Sequence, residues 1–281
     1  MTEGADGHMD PLSPVPAPPA QDASGWRVCM LASGSRGNAI YLSAGRTAIL
    51  FDAGLSGKEL ERRMLERQIS PAALTAIVVS HEHSDHIRGV GVLSRRYKLP
   101  VYISPATGQA AAPQLGRLHQ IQSFQCGDSF SVNDLVIHPF SISHDAEDPA
   151  GFTVSRNGSK IGIATDLGVA TGMVIQHLQR CDMLILESNH DPQMLIEGPY
   201  PWHLKQRIKG RSGHLSNTDA MQLLKEIQHS RLACVILAHL SEQNNHPELA
   251  LQTVRRAMEA ADCHPRFYVA AQDVVSEVFS L

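Results

Sequence analysis

Ser80-His81-Glu82-His83-Ser84-Asp85-His86 sets three imidazoles and two carboxylates within six consecutive positions, 81 to 86. The stretch follows a short apolar run at 76–79 and precedes helical spacing of Ile87, Val90 and Leu93, so a strand end and a helix start hold its backbone on either side. In extended backbone His81 and His83 point the same way and Glu82 the other. Asp85 and His86 fall where the chain bends and present a second group of donors. A catalytic ion takes three protein ligands and keeps a position open. His81, His83, Asp85 and His86 exceed that for one ion and suit the start of two adjacent sites. Nitrogen and oxygen donors without thiolate fit Zn, Mn or Fe. The plain alternative for the cluster is a solvated polar loop.

Other strand ends offer the same residue types. His144-Asp145 follows an apolar run at 140–142, Asp166 ends Lys160-Ile-Gly-Ile-Ala-Thr165, and His239 ends a run at 234–238. Each taken singly is as readily structural. Together they add donors at three more strand ends, where functional residues concentrate, and a carboxylate at 166 is suited to bridge two cations.

The elements that must position these groups alternate between short apolar runs and turns. Strands are expected at 28–31, 39–43, 48–51, 76–79, 101–103, 121–124, 135–142, 151–155, 160–164, 183–186, 234–238 and 267–270. Ser56 with Glu59 forms a capping box for a helix carrying Leu60, Met64 and Leu65. Further helices are expected from 85 to Tyr97, over 217–229 behind Ser216, and from Pro247 to about 261. Strands in two batches, each followed by helices, fit an α/β (α+β) four-layer sandwich of two mixed sheets face to face with helices outside.

The 281 residues are 43% hydrophobic and 19% charged, an ordinary globular composition. Residues 1 to about 25, with Pro11, Pro14, Pro16, Pro18 and Pro19, are expected to be a disordered tail before one domain over 26–281. A formal charge of −4 supplies no global footprint for nucleic acid or anionic membranes, and a local patch stays open. No apolar run reaches the length of a membrane span and the start lacks the basic and apolar regions of a signal peptide. The five cysteines are widely spaced and never in a CxxC pair, which with the other signs predicts a cytoplasmic protein with reduced thiols. Homo-oligomerisation is left open.

These motifs resemble the metallo-β-lactamase-fold superfamily, whose HxHxDH signature stands here at His81–His86. A lone His after a strand (His144), a bridging Asp (Asp166), a C-terminal His (His239) and an early Asp-x-Gly (Asp52-Ala-Gly54) match as well. Within the superfamily the chain looks like the YycJ/VicX/WalJ branch, described as 5′-to-3′ exonucleases. Leu31-Ala-Ser-Gly-Ser-Arg-Gly-Asn38, Glu187-Ser-Asn-His190, Gly213-His-Leu-Ser-Asn217 and Leu237-Ala-His-Leu-Ser241 carry that likeness. The resemblance implies one metal held by His81, His83, His144 and Asp166, and another by Asp85, His86, Asp166 and His239, with Asp52 supporting them. Cysteine stands at neither 144 nor 166, unlike the β-lactamases proper. It further implies a dinuclear metal-dependent phosphodiesterase, a 5′-to-3′ exonuclease on DNA or RNA, in which a hydroxide between the metals attacks phosphorus. Asp85, Glu187 and His214 become its catalytic residues, with His214 the proton donor and Glu187 its orienting carboxylate. A small-molecule hydrolase (cyclic phosphodiester, thioester or lactone) and a non-catalytic metal-bound regulator remain the alternatives.

Between Glu187 and His214, Lys205, Arg207, Lys209 and Arg211 put four positive charges in seven residues beside Tyr200 and Trp202. Basic groups with aromatic faces grip unpaired nucleic acid, while a solvated helix with Leu204 and Ile208 turned inward explains the same pattern. The polar, glycine-rich Ser33-Gly-Ser-Arg-Gly-Asn38 is read as a turn first, since its spacing is not that of a P-loop.

Overall fold

The computed structural model describes residues 25–259 and 263–281, so the expected tail at 1 to about 25 lies almost wholly outside the described residues. The first sheet contains β1 (Trp26–Ala32), β2 (Ala39–Ala44), β3 (Thr47–Phe51), β4 (Ala76–Val78), β5 (Pro100–Ile103) and β6 (Gln120–Ser123). The second contains β7 (Phe130–Val132), β8 (Leu135–Ser141), β9 (Ala150–Arg156), β10 (Ser159–Ala164), β11 (Met183–Glu187), β12 (Cys234–Ala238) and β13 (Arg266–Val269). β14 (Phe279–Ser280) returns to the edge of the first sheet beside β1. Each sheet mixes antiparallel hairpins with parallel strands: β3 to β6 run parallel, as do β10 to β13.

Period-2 geometry sorts each strand into two cores. Val28, Met30, Ile49 and Phe51 face Ile137, Phe152, Ile163 and Ile185 between the sheets. Phe51 and Phe152 meet there with ring centroids 5.3 Å apart. The alternate residues Cys29, Leu31, Leu50 and Ile77 pack outward beneath α1 (Gly57–Glu66), α3 (Val90–Tyr97) and α4 (Pro105–Leu115). On the far side, Leu184, Leu186, Val235 and Leu237 pack against α5 (Gly172–Leu178), α8 (Asn217–Ile227) and α9 (Pro247–Arg255). This is the expected helix–sheet–sheet–helix sandwich.

The expected helix from 85 to Tyr97 is two helices, α2 (Ser84–Ile87) and α3. The break has a local cause: the Gly89 amide leaves the helical ladder to donate to Ala53 O at 2.7 Å. A Cβ on Gly89 would lie 2.5 Å from Leu55 O, so only glycine allows this approach. The last expected helix is shorter too, with α9 ending at Arg255 before a 3₁₀ turn over Arg256–Met258. Sequence reading assigned nothing to α4, α5, α6 (Pro192–Glu197) or β7. α4 starts on a proline and contains Pro113, which masks it as a helix.

Candidate metal centre and active-site cleft

The carboxyl ends of β3, β4, β8, β10, β11 and β12 open on one side of the sandwich and carry the histidines and carboxylates. Three of these chain exits turn through left-handed backbone at the expected ligand or supporting residue itself: Asp52 (φ 57°), Asp166 (φ 57°) and His239 (φ 56°). Such φ values disfavour residues with a side chain and gather at functional sites.

Asp52 organises the histidine motif. Its Oδ1 accepts the Ser80 amide at 2.8 Å, and its Oδ2 accepts the Ser80 hydroxyl and His86 Nδ1, each at 2.8 Å. A carboxylate only accepts, so His86 Nδ1 carries a proton toward Asp52 and Nε2 is the atom turned to the cluster. With its proton given to Asp52, Ser80 Oγ accepts from His81 Nδ1 at 2.9 Å, freeing His81 Nε2 in the same way. His144 Nδ1 donates to Gly213 O at 3.2 Å. The ring nitrogens then converge: His81 Nε2 lies 3.1 Å from His83 Nδ1, and His144 Nε2 3.4 Å from it.

Asp166 stands at the centre. Its carboxylate lies 3.3 Å from His86 Nε2, 3.4 Å from His239 Nδ1 and 3.8 Å from both His144 Nε2 and His214 Nδ1. Among the described residues, donor atoms within 4.8 Å of one another form three groups: His81, His83 and His144; His81, His86 and Asp166; and Asp166, Glu187, His214 and His239. Asp85 Oδ2 adjoins them 3.6 Å from His86 Nε2 but belongs to none of the three. Among the described residues, Asp166 Oδ2 and His239 Nε2 are buried without a hydrogen bond, a costly condition that cation ligation relieves. A divalent metal therefore fits this nitrogen and oxygen donor set.

The local charges are strongly coupled to burial. Burial opposes an imidazolium at His86, but Asp166 and Asp52 outweigh it and hold its pKa well above the ordinary value. His239 likewise rises to about 9, where burial is overcome by Asp166 and Glu187. Burial, joined by the repulsion of His86, keeps His81 well below the usual range. Burial would raise Asp166, yet His239 and His86 keep it ionised with a pKa well below a normal carboxylate.

Glu187, fully buried at the end of β11, accepts from the Leu167 amide at 2.6 Å and the Leu215 amide at 3.2 Å through Oε2. Its Oε1 faces His214 Nδ1 at 2.8 Å and His239 Nδ1 at 2.9 Å. Burial works against this carboxylate, but His214 and His239 hold its pKa at about 2. The structure thus brings together the expected Glu187–His214 pair and joins it to His239, a link with no counterpart in the sequence reading.

His214, Asp85, Asp166 and His239 line a cleft of about 320 Å³ that Tyr200 and Arg207 line as well. The four basic residues do not converge on it. Arg207, on α7 (Trp202–Ile208), borders the cleft and pairs with Asp145 at 3.0 Å. Lys205 Nζ donates to Ile196 O at 2.6 Å. Lys209 Nζ lies 5.7 Å from the centroid of the Trp202 ring, which is 66% exposed. Lys209 and Arg211 border a separate groove beside Gly168–Ala170 and α8.

Sequence reading gives Ser80 and Asn189 no site role and places Asn38 in a turn. Asn189 Nδ2 donates to His239 O at 2.8 Å, Ser80 links Asp52 to His81, and Asn38 Nδ2 lies 3.3 Å from Asp85 Oδ2. Asn38 and Asn189 both sit in motifs recognisable in the sequence, but their partners lie far along the chain.

Comparison with known proteins follows the same lines. The family model described as "Beta-lactamase superfamily domain" matches residues 47–239. The chain is 37% identical over 237 residues to the exodeoxyribonuclease YycJ of Bacillus anthracis, covering 84% of this chain and 90% of that protein. It is 37% identical over 242 residues to the exodeoxyribonuclease WalJ of Streptococcus pneumoniae, covering 85% and 90%. Among solved structures, the metallo-β-lactamase fold protein YhfI from Bacillus subtilis superposes with a TM-score of 0.71 at 15% identity, covering 92% of this chain and all (100%) of that one.

Proposed function

The chain belongs to the metallo-β-lactamase superfamily, in the branch of YycJ and WalJ, and from that premise we propose that it is a metal-dependent exonuclease that cleaves phosphodiester bonds of DNA from the 5′ end. The observation that carries this reading is the shared cleft: the donor cluster, the Glu187-held His214 and the phosphate-binding type of side chain at Arg207 open into one space.

His81, His83, His144 and Asp166 would hold one divalent cation, and Asp85, His86, Asp166 and His239 a second, drawn from Zn, Mn or Fe. Bound there, such ions lower the pKa of water and neutralise charge on a phosphoryl group. The protein's own groups do the rest. Glu187 Oε1 accepts the hydrogen bond of His214 Nδ1 and orients the ring, so that the protonated imidazole delivers its Nε2 proton to the leaving oxygen. Arg207 takes a backbone phosphate and Tyr200 offers a face for a base. Asp52, Ser80 and Asn189 keep the ligands in place. One domain over 26–281 in the cytoplasm is part of the reading, supported by an inter-sheet core running from Trp26 to Phe279 and by five widely spaced, mostly buried cysteines.

The test uses the purified protein with Mn²⁺ and single-stranded DNA labelled at the 5′ end or, separately, at the 3′ end, with Asp85→Ala as control. Early release of the 5′ label by the wild type alone is the expected result. Absence of cleavage on both DNA and RNA would redirect the reading to small phosphodiesters and thioesters.

A further inference from the structure

Four of the seven expected ligands are each steadied by a group behind them, as is usual for metal sites. Ser80 holds His81, Asp52 holds His86, Gly213 O holds His144 and Glu187 holds His239. The Asp85 carboxylate is held in the same way by a group from a distant segment. Among the described residues its side-chain hydrogen bond comes from Asn38, 47 positions earlier.

Asn38 is buried and locked. Its amide donates to Asp85 O at 2.7 Å and its carbonyl accepts from Gly54 at 2.8 Å, so the loop lies against both the histidine motif and the Asp52 turn. Its Oδ1 accepts the Gly34 amide at 2.8 Å. That donor can meet only an oxygen, which fixes the orientation of the side-chain amide. Nδ2 then faces Asp85 Oδ2 at 3.3 Å and His86 Nε2 at 3.0 Å. Those two atoms belong to adjacent residues and lie 3.6 Å apart, and His86 Nε2 lies 3.3 Å from the Asp166 carboxylate.

We propose that Asn38 is a positioning residue for the second metal position: its amide holds the partly exposed Asp85 carboxylate beside His86 Nε2, so that this half of the centre is formed before a cation arrives. The inference rests on the two-cation reading above. Without the Nδ2 donor, Asp85, at the first turn of a four-residue helix, is free to rotate toward solvent. The other position, at His81, His83 and His144, does not depend on Asn38, because none of its ligand atoms touches it.

The test is Mn²⁺ binding to chelator-stripped full-length protein, read from the electron paramagnetic resonance signal of free Mn²⁺, for wild type, Asn38→Ala and Arg36→Ala. Arg36 ties the same loop to Glu242 and Asp273 at the surface without touching a ligand. Asn38→Ala is expected to weaken one of two binding steps by about 10–100-fold and leave the other within about twofold, while Arg36→Ala leaves both unchanged. Should Asn38→Ala not fold, as judged by its melting curve in EDTA, Asn38→Ser serves in its place with the same expectation. Two wild-type steps in the Asn38 variant, or the same loss from Arg36→Ala, would overturn the assignment. A wild type that binds fewer than two equivalents of Mn²⁺ would instead remove the two-cation reading on which it stands.

Discussion

His214 and Glu187 illustrate how a pair of residues acquires a role through its neighbours. Glu187 is fully buried, yet its two oxygens receive two amides and two imidazoles, so its charge is satisfied on every side. That arrangement holds His214 in one tautomer without burying it, since the ring borders the cleft. His214→Ala should therefore lower turnover on a phosphodiester by about 10²–10⁴-fold, the usual contribution of a positioned general acid. Metal content by mass spectrometry should stay at the wild-type level. Loss of bound metal would make His214 a ligand rather than a proton donor.

At the scale of elements, α7 stands apart. None of its seven residues is buried, and its ties to the body include the Ile208 carbonyl, which accepts from the His214 amide at 2.8 Å, and the Arg207–Asp145 pair. Both members of that pair are more than half exposed, 62% and 61%, so the pair itself adds little stability. Its consequence is for binding: Asp145 occupies the guanidinium that a phosphate would otherwise take. Arg207→Gln should weaken binding of single-stranded DNA and flatten its salt dependence by about one unit of slope. Asp145→Asn should tighten binding, and fluorescence anisotropy across a salt series checks both. Identical affinities in the two variants would mean that Arg207 meets no phosphate. Lys205, already committed to a backbone carbonyl, should matter less.

For the whole molecule, the two-sheet architecture buries both faces of nearly every central strand. That leaves Cys29, Cys181, Cys234 and Cys263 enclosed and Cys126 half-buried. Burial pushes the Cys181 thiol up to about 12 and Cys234 up to about 11. A raised thiol pKa means that the reactive thiolate is scarce until the pH approaches those values. At pH 8 a thiol-specific chromogenic reagent should modify no more than one cysteine of the native protein quickly, and all five after denaturation. Two or more fast thiols in the native state would contradict this packing.

The donor set was legible in the chain because metal ligation demands particular side chains, and those sit next to runs whose apolar character marks them as strands. The helix–sheet–sheet–helix layering was legible for the same reason, from the order and number of the runs. Strand faces were not, since residues such as Cys29 and Met30 are equally apolar though one packs under helices and the other between sheets. Nor could local pattern show the break at Gly89, which comes from its amide docking on Ala53. The pairings that orient the site join residues distant in the chain: 27 positions for Glu187 and His214, 52 for Glu187 and His239, 61 for His83 and His144. A sequence specifies which groups exist and, through periodicity, which segments are extended or helical. Which oxygen meets which nitrogen at a distance of about 3 Å is a property of packed strand ends, and only the folded chain decides it.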